Sequence, residues 1–451
     1  MVIAKKDSKS LDVNCRHSSV LTGMDRHKMA TAKKLFLRLV RVHNLFLANG
    51  DQDSAFAVRE YIGRVTSYYV EVSTVIDRTY VRYAGVRINI GSEQIDDALI
   101  GAKYRFKSRQ QLRRLFTGFR ISAFFTIPGS GYRFGGEELL LISLERCALG
   151  SRLLDLQSRY HIQHSVISRG INYFCQWMND NWGYLLRDNL EFWRPYLQAS
   201  MLSIKAKMLC QYNFDVDEVV DDFKVSMFID CTMIKSQRPG GGPVLPGPFA
   251  PRYAYLVQEA FYNGWKRMHG IKKQSIGLAN GMAFHVSRGY SCRRHDLHIL
   301  NVSDMDDRLA ELTEEDHPDD QFTCYGDSAY PESRRITCRR DGVEFTDLNK
   351  AMNGCRESIE WMYRDLFQYW KVTTIKSTFT LLTGFKRADN VIDLCFILNN
   401  AYNTMNHNEC SQWFHMAPPT FETYVAQGPR AAEDIEEDDD QQEDFEGENA
   451  E

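Results

Sequence analysis

Three acidic residues carry the chemistry this sequence could perform. Asp230 closes the apolar run VSMFIDCT, Asp327 closes FTCYGD, and Glu360 lies in CRESIEW. A single acid after an apolar run reads as a strand-end Asx turn. Two such runs side by side would instead bring two carboxylates together, and a helix crossing them could add a third. Carboxylates gathered at one sheet edge repel one another and protonate unless a cation sits between them. Magnesium or manganese suits that place. Two hard divalent ions about 4 Å apart, held by oxygen ligands, can activate a water or a 3′-hydroxyl and steady the leaving oxygen of an in-line phosphoryl displacement.

The elements that must position these acids are legible in the pattern. From Val225 the texture becomes strand-like: VSMFIDCT, GIKKQSIGLAN and MAFHVSRGYS, separated by turn signals such as Asn280-Gly281, predict three consecutive antiparallel strands. RPGGGPVLPGPFAP, between the first two, reads as a loop. RHDLHILNVSDMDDRLAEL reads as helical, FTCYGD as a short strand, and MNGCRESIEWMYRDLFQYWKV as a long helix; DNVIDLCFILNNAYNTM forms a second helix able to cover the sheet. In the long helix Ile359, Met362, Tyr363, Leu366, Phe367 and Trp370 define the buried stripe. At 100° per residue Glu360 lies roughly 85° from its centre and Glu357 roughly 145° away. Glu360 therefore edges the buried face, and Glu357 points to water.

Upstream, Thr31 to Trp193 is mostly helical in pattern, with the strand-like patch YVRYAGVRINIG unplaced. FKSRQQLRRLF and GEELLLISLERCAL read as amphipathic helices. SRLLDLQSRYHIQHSVISRGINYFCQWM reads as helix, turn, helix. Leu153, Leu156 and Tyr160 form one stripe, Ser165 is the expected cap, and Val166, Ile167, Gly170, Ile171 and Phe174 face the same core. Ser168, Arg169 and Asn172 fall on the outer face, able to reach phosphates or base edges, although small helical bundles make the same pattern. YNGWKRMHG sets Lys266, Arg267 and His269 beside Tyr262 and Trp265. This mix suits gripping a strand by phosphates and a base face, or equally an aromatic core with a snorkelling basic rim. Arg334, Arg335, Arg339 and Arg340 are candidates for the same channel.

The chain of 451 residues is 43% apolar and 12% aromatic, ample for ordinary cores. Its net charge of -4 hides an asymmetry, because Ala431 to Glu451 holds 12 acids and no Lys or Arg. Without that tail the balance is 55 minus 47, or +8. A basic body suits a polyanionic partner, and the tail itself reads as disordered. The eleven cysteines include no CxxC pair, so neither a disulfide framework nor a zinc knuckle is indicated and a reducing compartment is expected. The N-terminus carries no signal-peptide pattern, and KKLFLRLVRVHNLFLANG is too interrupted by charge to span a bilayer. A cytosolic or nuclear protein is expected. The basic residues from Lys5 to Arg41 serve either nuclear import, DNA contact or a solvated helix face.

FIDCT, YNGWKRMHG, CYGDSAYP and CRESIEW, in this order and at these separations, resemble the nuclease domain of PIF/Harbinger transposases, DDE superfamily endonucleases of the DDE transposase family 4 type. The resemblance covers roughly Phe134 to Arg430. It implies an α/β, RNase H-like mixed sheet flanked by helices, preceded by an α-helical helix-turn-helix region. The expected domains are an N-terminal, mostly helical region (1–133), a helix-turn-helix DNA-binding region (134–214), the DDE nuclease (215–430) and the acidic tail (431–451). It further implies metal-dependent cutting and joining of DNA, with Asp230, Asp327 and Glu360 as catalytic residues and ligands of two Mg2+ or Mn2+ ions. Asp296 is then either a fourth ligand or a helix cap. Arg356, four residues before Glu360, joins Arg169, Lys266, Arg267 and His269 as a DNA-contact candidate. Double-stranded DNA, a Myb-like DNA-binding partner, a homo-oligomer, a nuclear location and no membrane association complete what it implies. Cys231 stands where relatives commonly have Gly, and Phe367 where bacterial cousins often have Lys, which removes one expected phosphate contact. The competing class keeps the fold as a domesticated, non-catalytic DNA-binding or scaffold protein.

Overall fold

The computed structural model describes residues 58–59, 62, 88–93, 95–128, 130–212, 224–239, 258–314, 322–333, 335–339, 342, 346–375, 379 and 384–430. Expectations on Lys5 to Arg41, on most of YVRYAGVRINIG and the Pro/Gly-rich loop, on Arg334 and Arg340, and on the acidic tail lie outside these residues. The chain divides into two compact units, one of residues 1–87 with 123–135, the other of 88–122 with 136–451. Within the first, β1 (Phe124–Thr126) and β2 (Arg133–Gly135) form an antiparallel hairpin. Of residues 134–430, which the sequence pattern splits at 214, residues 134–135 fall in the first unit and 136–430 in the second.

The second unit is mixed α/β. Its main helices are α1 (Arg109–Gly118), α2 (Gly136–Leu149), α3 (Leu153–Tyr160), α4 (His164–Trp182), α5 (Leu190–Tyr212), α6 (Asp296–Val302), α7 (Met305–Glu314), α8 (Thr346–Tyr369) and α9 (Phe385–Met405). Its strands are β3 (Val225–Lys235), β4 (Tyr262–Asn263), β5 (Met268–Leu278), β6 (Ala283–Val286), β7 (Tyr290–Ser291), β8 (Thr323–Tyr325) and β9 (Ile336–Thr337). They form a sheet in the order β4-β5-β3-β8-β9, with β6 and β7 also paired to β5. The expected antiparallel trio is β3, β5 and β6, and β8 and β9 add parallel pairs.

Local chemistry explains the joints. Gly281, at a φ of 75°, makes the β5–β6 turn after Asn280. The side chain of Asn400 on α9 acts as an extra strand edge for β6: its Oδ1 accepts from the Ala283 N–H at 2.9 Å and its Nδ2 donates to the Ala283 carbonyl at 3.0 Å. Ser108 caps α1 by accepting from the Gln111 N–H. The helical run after β7 breaks into α6 and α7 at Asp304, which has a φ of 47°. α8 lays Ile359 and Met362 across Gly277 of β5, where even an added Cβ would sit at ordinary contact distance. The site below lies under that helix.

Candidate active site

β3 does not stop at Asp230, as the apolar run suggested; it continues through Lys235, paired with β5 all the way from Met227 to Lys235. What stops is the strand on its other side. β8 pairs in parallel with β3 only as far as Phe228, opposite Tyr325, so two more residues along each chain bring Asp230 and Asp327 level. Neighbouring strands lie about 4.8 Å apart. An acid breaking an apolar run thus marks the end of the neighbouring strand.

The turn carrying Asp327 is fixed by its own sequence, GDSAY. Gly326 leaves no room for a side chain: a Cβ there would meet the Tyr330 ring at 2.7 Å. Asp327 accepts from the Ala329 N–H at 2.9 Å through its side chain and from the Tyr330 N–H at 3.1 Å through its carbonyl. This Asx turn folds Tyr330 back into the core, where its hydroxyl meets Gln274 Nε2 at 3.2 Å and Cys231 Sγ at 3.5 Å. Asp327 itself remains half-buried at the opening.

Over the opening runs the stripe Arg356, Glu360 and Tyr363 of α8, at four- and three-residue steps. The Tyr363 hydroxyl donates to the Asp230 carbonyl at 2.7 Å. The Arg356 guanidinium lies 3.8 Å from an Asp230 carboxylate oxygen and 3.4 Å from a Glu360 oxygen, bridging strand and helix. Glu360 has 56% of its side chain exposed; Glu357 is exposed and makes no such contact with the site. Tyr363 read in the sequence only as part of the apolar stripe. Its hydroxyl could not be recognised as a tether without knowing what lies beneath it.

Burial pushes the Asp230 carboxyl up to about 6. The Cys231 N–H, donating at 2.8 Å, and the Arg356 guanidinium oppose that rise, while the Asp327 and Asp296 carboxylates add to it. Asp296 sits differently from Asp230. Side chains alternate along β3, and Cys231, Gln274 and Lys272 define the other face. There the Asp296 carboxylate pairs with the buried Lys272 ammonium at 2.5 Å. Nor is Asp296 a cap: His295 holds that position and Asp296 is the first helical residue, so its carboxylate is free to take the lysine.

The donor set fits a hard divalent cation in its chemistry: carboxylate oxygens only, with burial raising the Asp230 carboxyl against the one guanidinium beside it, Arg356. As placed, the side chains are not yet gathered. Among the described residues no three of His, Cys, Asp or Glu converge as ligands, and the cation between Asp230 and Glu360 is Arg356.

Residues 229–400 match the family model of the DDE superfamily endonucleases. The match begins one residue before Asp230, ends within α9 and takes in Asp230, Asp296, Asp327 and Glu360; it supports a DDE endonuclease domain over this stretch. No curated protein and no solved structure gives a significant match. Five of the remaining candidates lie within this stretch. Lys266 and Arg267 are exposed, and His269 is half-buried with its ring 5.0 Å from that of Tyr262. Arg335 is buried and so lines no channel, whereas Arg339 is exposed.

The helix, turn, helix pattern forms as α3 and α4, but with its cap at Gln163 rather than Ser165. Only Arg169 of the three expected outward residues is exposed. Ser168 and Asn172 are half-buried and line a cavity with Arg146 and Arg387. The reason is a second, half-buried face on α4, packed on α9 through amides: Asn179 donates to the Asn390 carbonyl at 2.9 Å, and Asn390 to Gln176 at 2.6 Å. Hydrogen-bonded amides bury without leaving an apolar signature.

Proposed function

We propose that this protein is a PIF/Harbinger-type transposase nuclease that cuts and joins DNA phosphodiesters with two Mg2+ or Mn2+ ions in an RNase H-like domain. The observation that carries the reading is the parallel β3–β8 register, which levels Asp230 with Asp327 beneath the helix bearing Glu360. Asp230, Asp327 and Glu360 would hold the ions. When bound, these supply an activated water or 3′-hydroxyl and a stabilised leaving oxygen. The chain's own residues do the positioning: Tyr363 tethers the Asp230 backbone, the GDSAY turn aims Asp327, and Arg356 keeps the carboxylates together. Arg169, Lys266, Arg267 and His269 would contact DNA in this reading. It carries with it a nuclear location, oligomeric action and a Myb-like partner.

Short DNA duplexes should be cleaved in magnesium or manganese and left intact in EDTA. Asp230→Asn, Asp327→Asn and Glu360→Gln should each abolish cleavage, and Glu357→Gln should retain most of it. Equal losses in the two glutamate variants would remove Glu360 from the site. The second reading, a domesticated DNA-binding protein, draws on Arg356, which already offsets the charge of Asp230 and Glu360 without a metal. DNA binding with no cleavage in any metal, with the partner protein supplied, would decide for it.

A further inference from the structure

The most solvent-exposed large apolar side chain among the described residues is Trp265, at 88%; the next, Leu154, shows 60%. It stands at the tip of the β4–β5 hairpin, whose strands pair Tyr262 with His269 and Asn263 with Met268. The tip is held in shape. Asn263 Oδ1 accepts from the Lys266 N–H at 2.8 Å, Asn263 Nδ2 donates to the Cys292 carbonyl at 2.8 Å, and Arg267 turns the chain at a φ of 50°. The indole is therefore presented outward by a fixed turn.

The chemistry around it selects the partner. From Ala260 to His295 the sequence has seven Lys or Arg residues and no Asp or Glu. Of these, the buried Lys272 and Lys273 are committed to Asp296 and to Asp389 with Asp393, and Arg293 to Glu259. Lys266 and Arg267, which follow Trp265 directly in the turn, are exposed and have no carboxylate partner among the described residues. A protein-docking tryptophan would sit in an apolar patch depleted of lysine. An exposed aromatic followed by two exposed cations in one turn is instead the pattern that takes a nucleic-acid strand by one base and its phosphates. In a duplex the base faces are stacked away, so only an unpaired base offers its π-face.

We propose that Trp265 stacks on an unpaired base of the DNA strand, with Lys266 and Arg267 holding the adjoining phosphates. The proposal rests on the DNA-directed reading above and deepens it. Because β5 runs from the tip to Ser275, the partner of Asp230, it also fixes a spacing. Ten residues at about 3.3 Å each give at most roughly 33 Å. At about 3.4 Å per nucleotide of a strand, the stacked base lies up to about ten nucleotides from the phosphate at Asp230.

The test is equilibrium binding of single-stranded oligonucleotides by the full chain in EDTA, where no cleavage is needed. Trp265→Ala should weaken binding about 5- to 150-fold, the loss expected of one stacked base, without changing the salt slope. Trp265→Phe should keep most of the affinity. Lys266→Ala and Arg267→Ala should each flatten the slope by about 0.7. An oligonucleotide carrying 2-aminopurine should be quenched at one position by the wild type and not by Trp265→Ala. Equal affinity of the wild type and Trp265→Ala overturns the proposal, as does a wild type that binds no single strand. A sedimentation change in Trp265→Ala with unaltered DNA affinity overturns it too, and marks the tip as a contact between copies. An inactive carboxylate site would leave every one of these measurements unaffected.

Discussion

At the residue scale the decisive group is Asp230, an acid kept in a place that favours its neutral form. Burial raises its carboxyl to about 6, above the value near 3.9 expected in an unfolded chain. Above pH 6 the carboxylate is ionised in both states, and the folded protein bears the cost of the buried charge. As pH falls from 6 toward 4 the folded protein takes up the proton first and that cost disappears. Asp230→Asn should therefore stabilise the metal-free protein above pH 6, by on the order of 1–3 kcal/mol, and give no gain below about pH 4. Urea unfolding in EDTA at a series of pH values measures this; a gain independent of pH would show that charge is not the cause. In the proposed reading, cleavage and stability are opposed at this one residue, as expected where a fold holds a charge for use.

At the element scale, α9 carries a buried network that the apolar pattern conceals. Its Asp393 and Asp389 each take the fully buried Lys273 ammonium of β5 at 2.5 Å, and Asp393 also pairs with Arg187. Although burial pushes the Asp393 carboxyl up, Arg187 and Lys273 hold it below the ordinary aspartate range. Removing one partner of such a set leaves a cation uncompensated. Asp393→Ala should cost about 3–5 kcal/mol, read as a lowered urea midpoint; a loss below 1 kcal/mol would mean water reaches the site. The same helix shows what a sequence conceals. Both ends of α2, the start of β3 and the end of α9 fall where the apolar pattern puts them. Glu360 and Glu357 are both exposed; what distinguishes Glu360 is its i,i+4 ion pair with Arg356. The second face of α4 and the early end of β8 do not appear in the pattern. The first is half-buried through paired amides, and the second depends on a partner strand about a hundred residues away.

At the scale of the whole molecule, charge is divided along the chain: +8 through Arg430, and 12 acids with no base after it. The contacts proposed for DNA, Arg169, Lys266, Arg267 and His269, all belong to the basic part. Phosphate binding is driven by release of counterions, and a tethered polyanion competes with DNA for the same cations. A chain ending at Arg430 should therefore bind duplex DNA more tightly than the full chain, on the order of tenfold at about 50 mM salt. The difference should shrink as salt rises, because at about 1 M the screening length is only about 3 Å and neither polyanion is felt beyond contact. Fluorescence anisotropy across a salt titration would show two lines of different slope converging at high salt. Identical lines would mean that the acids never compete for the cations proposed to hold DNA, and would give the tail's charge another task.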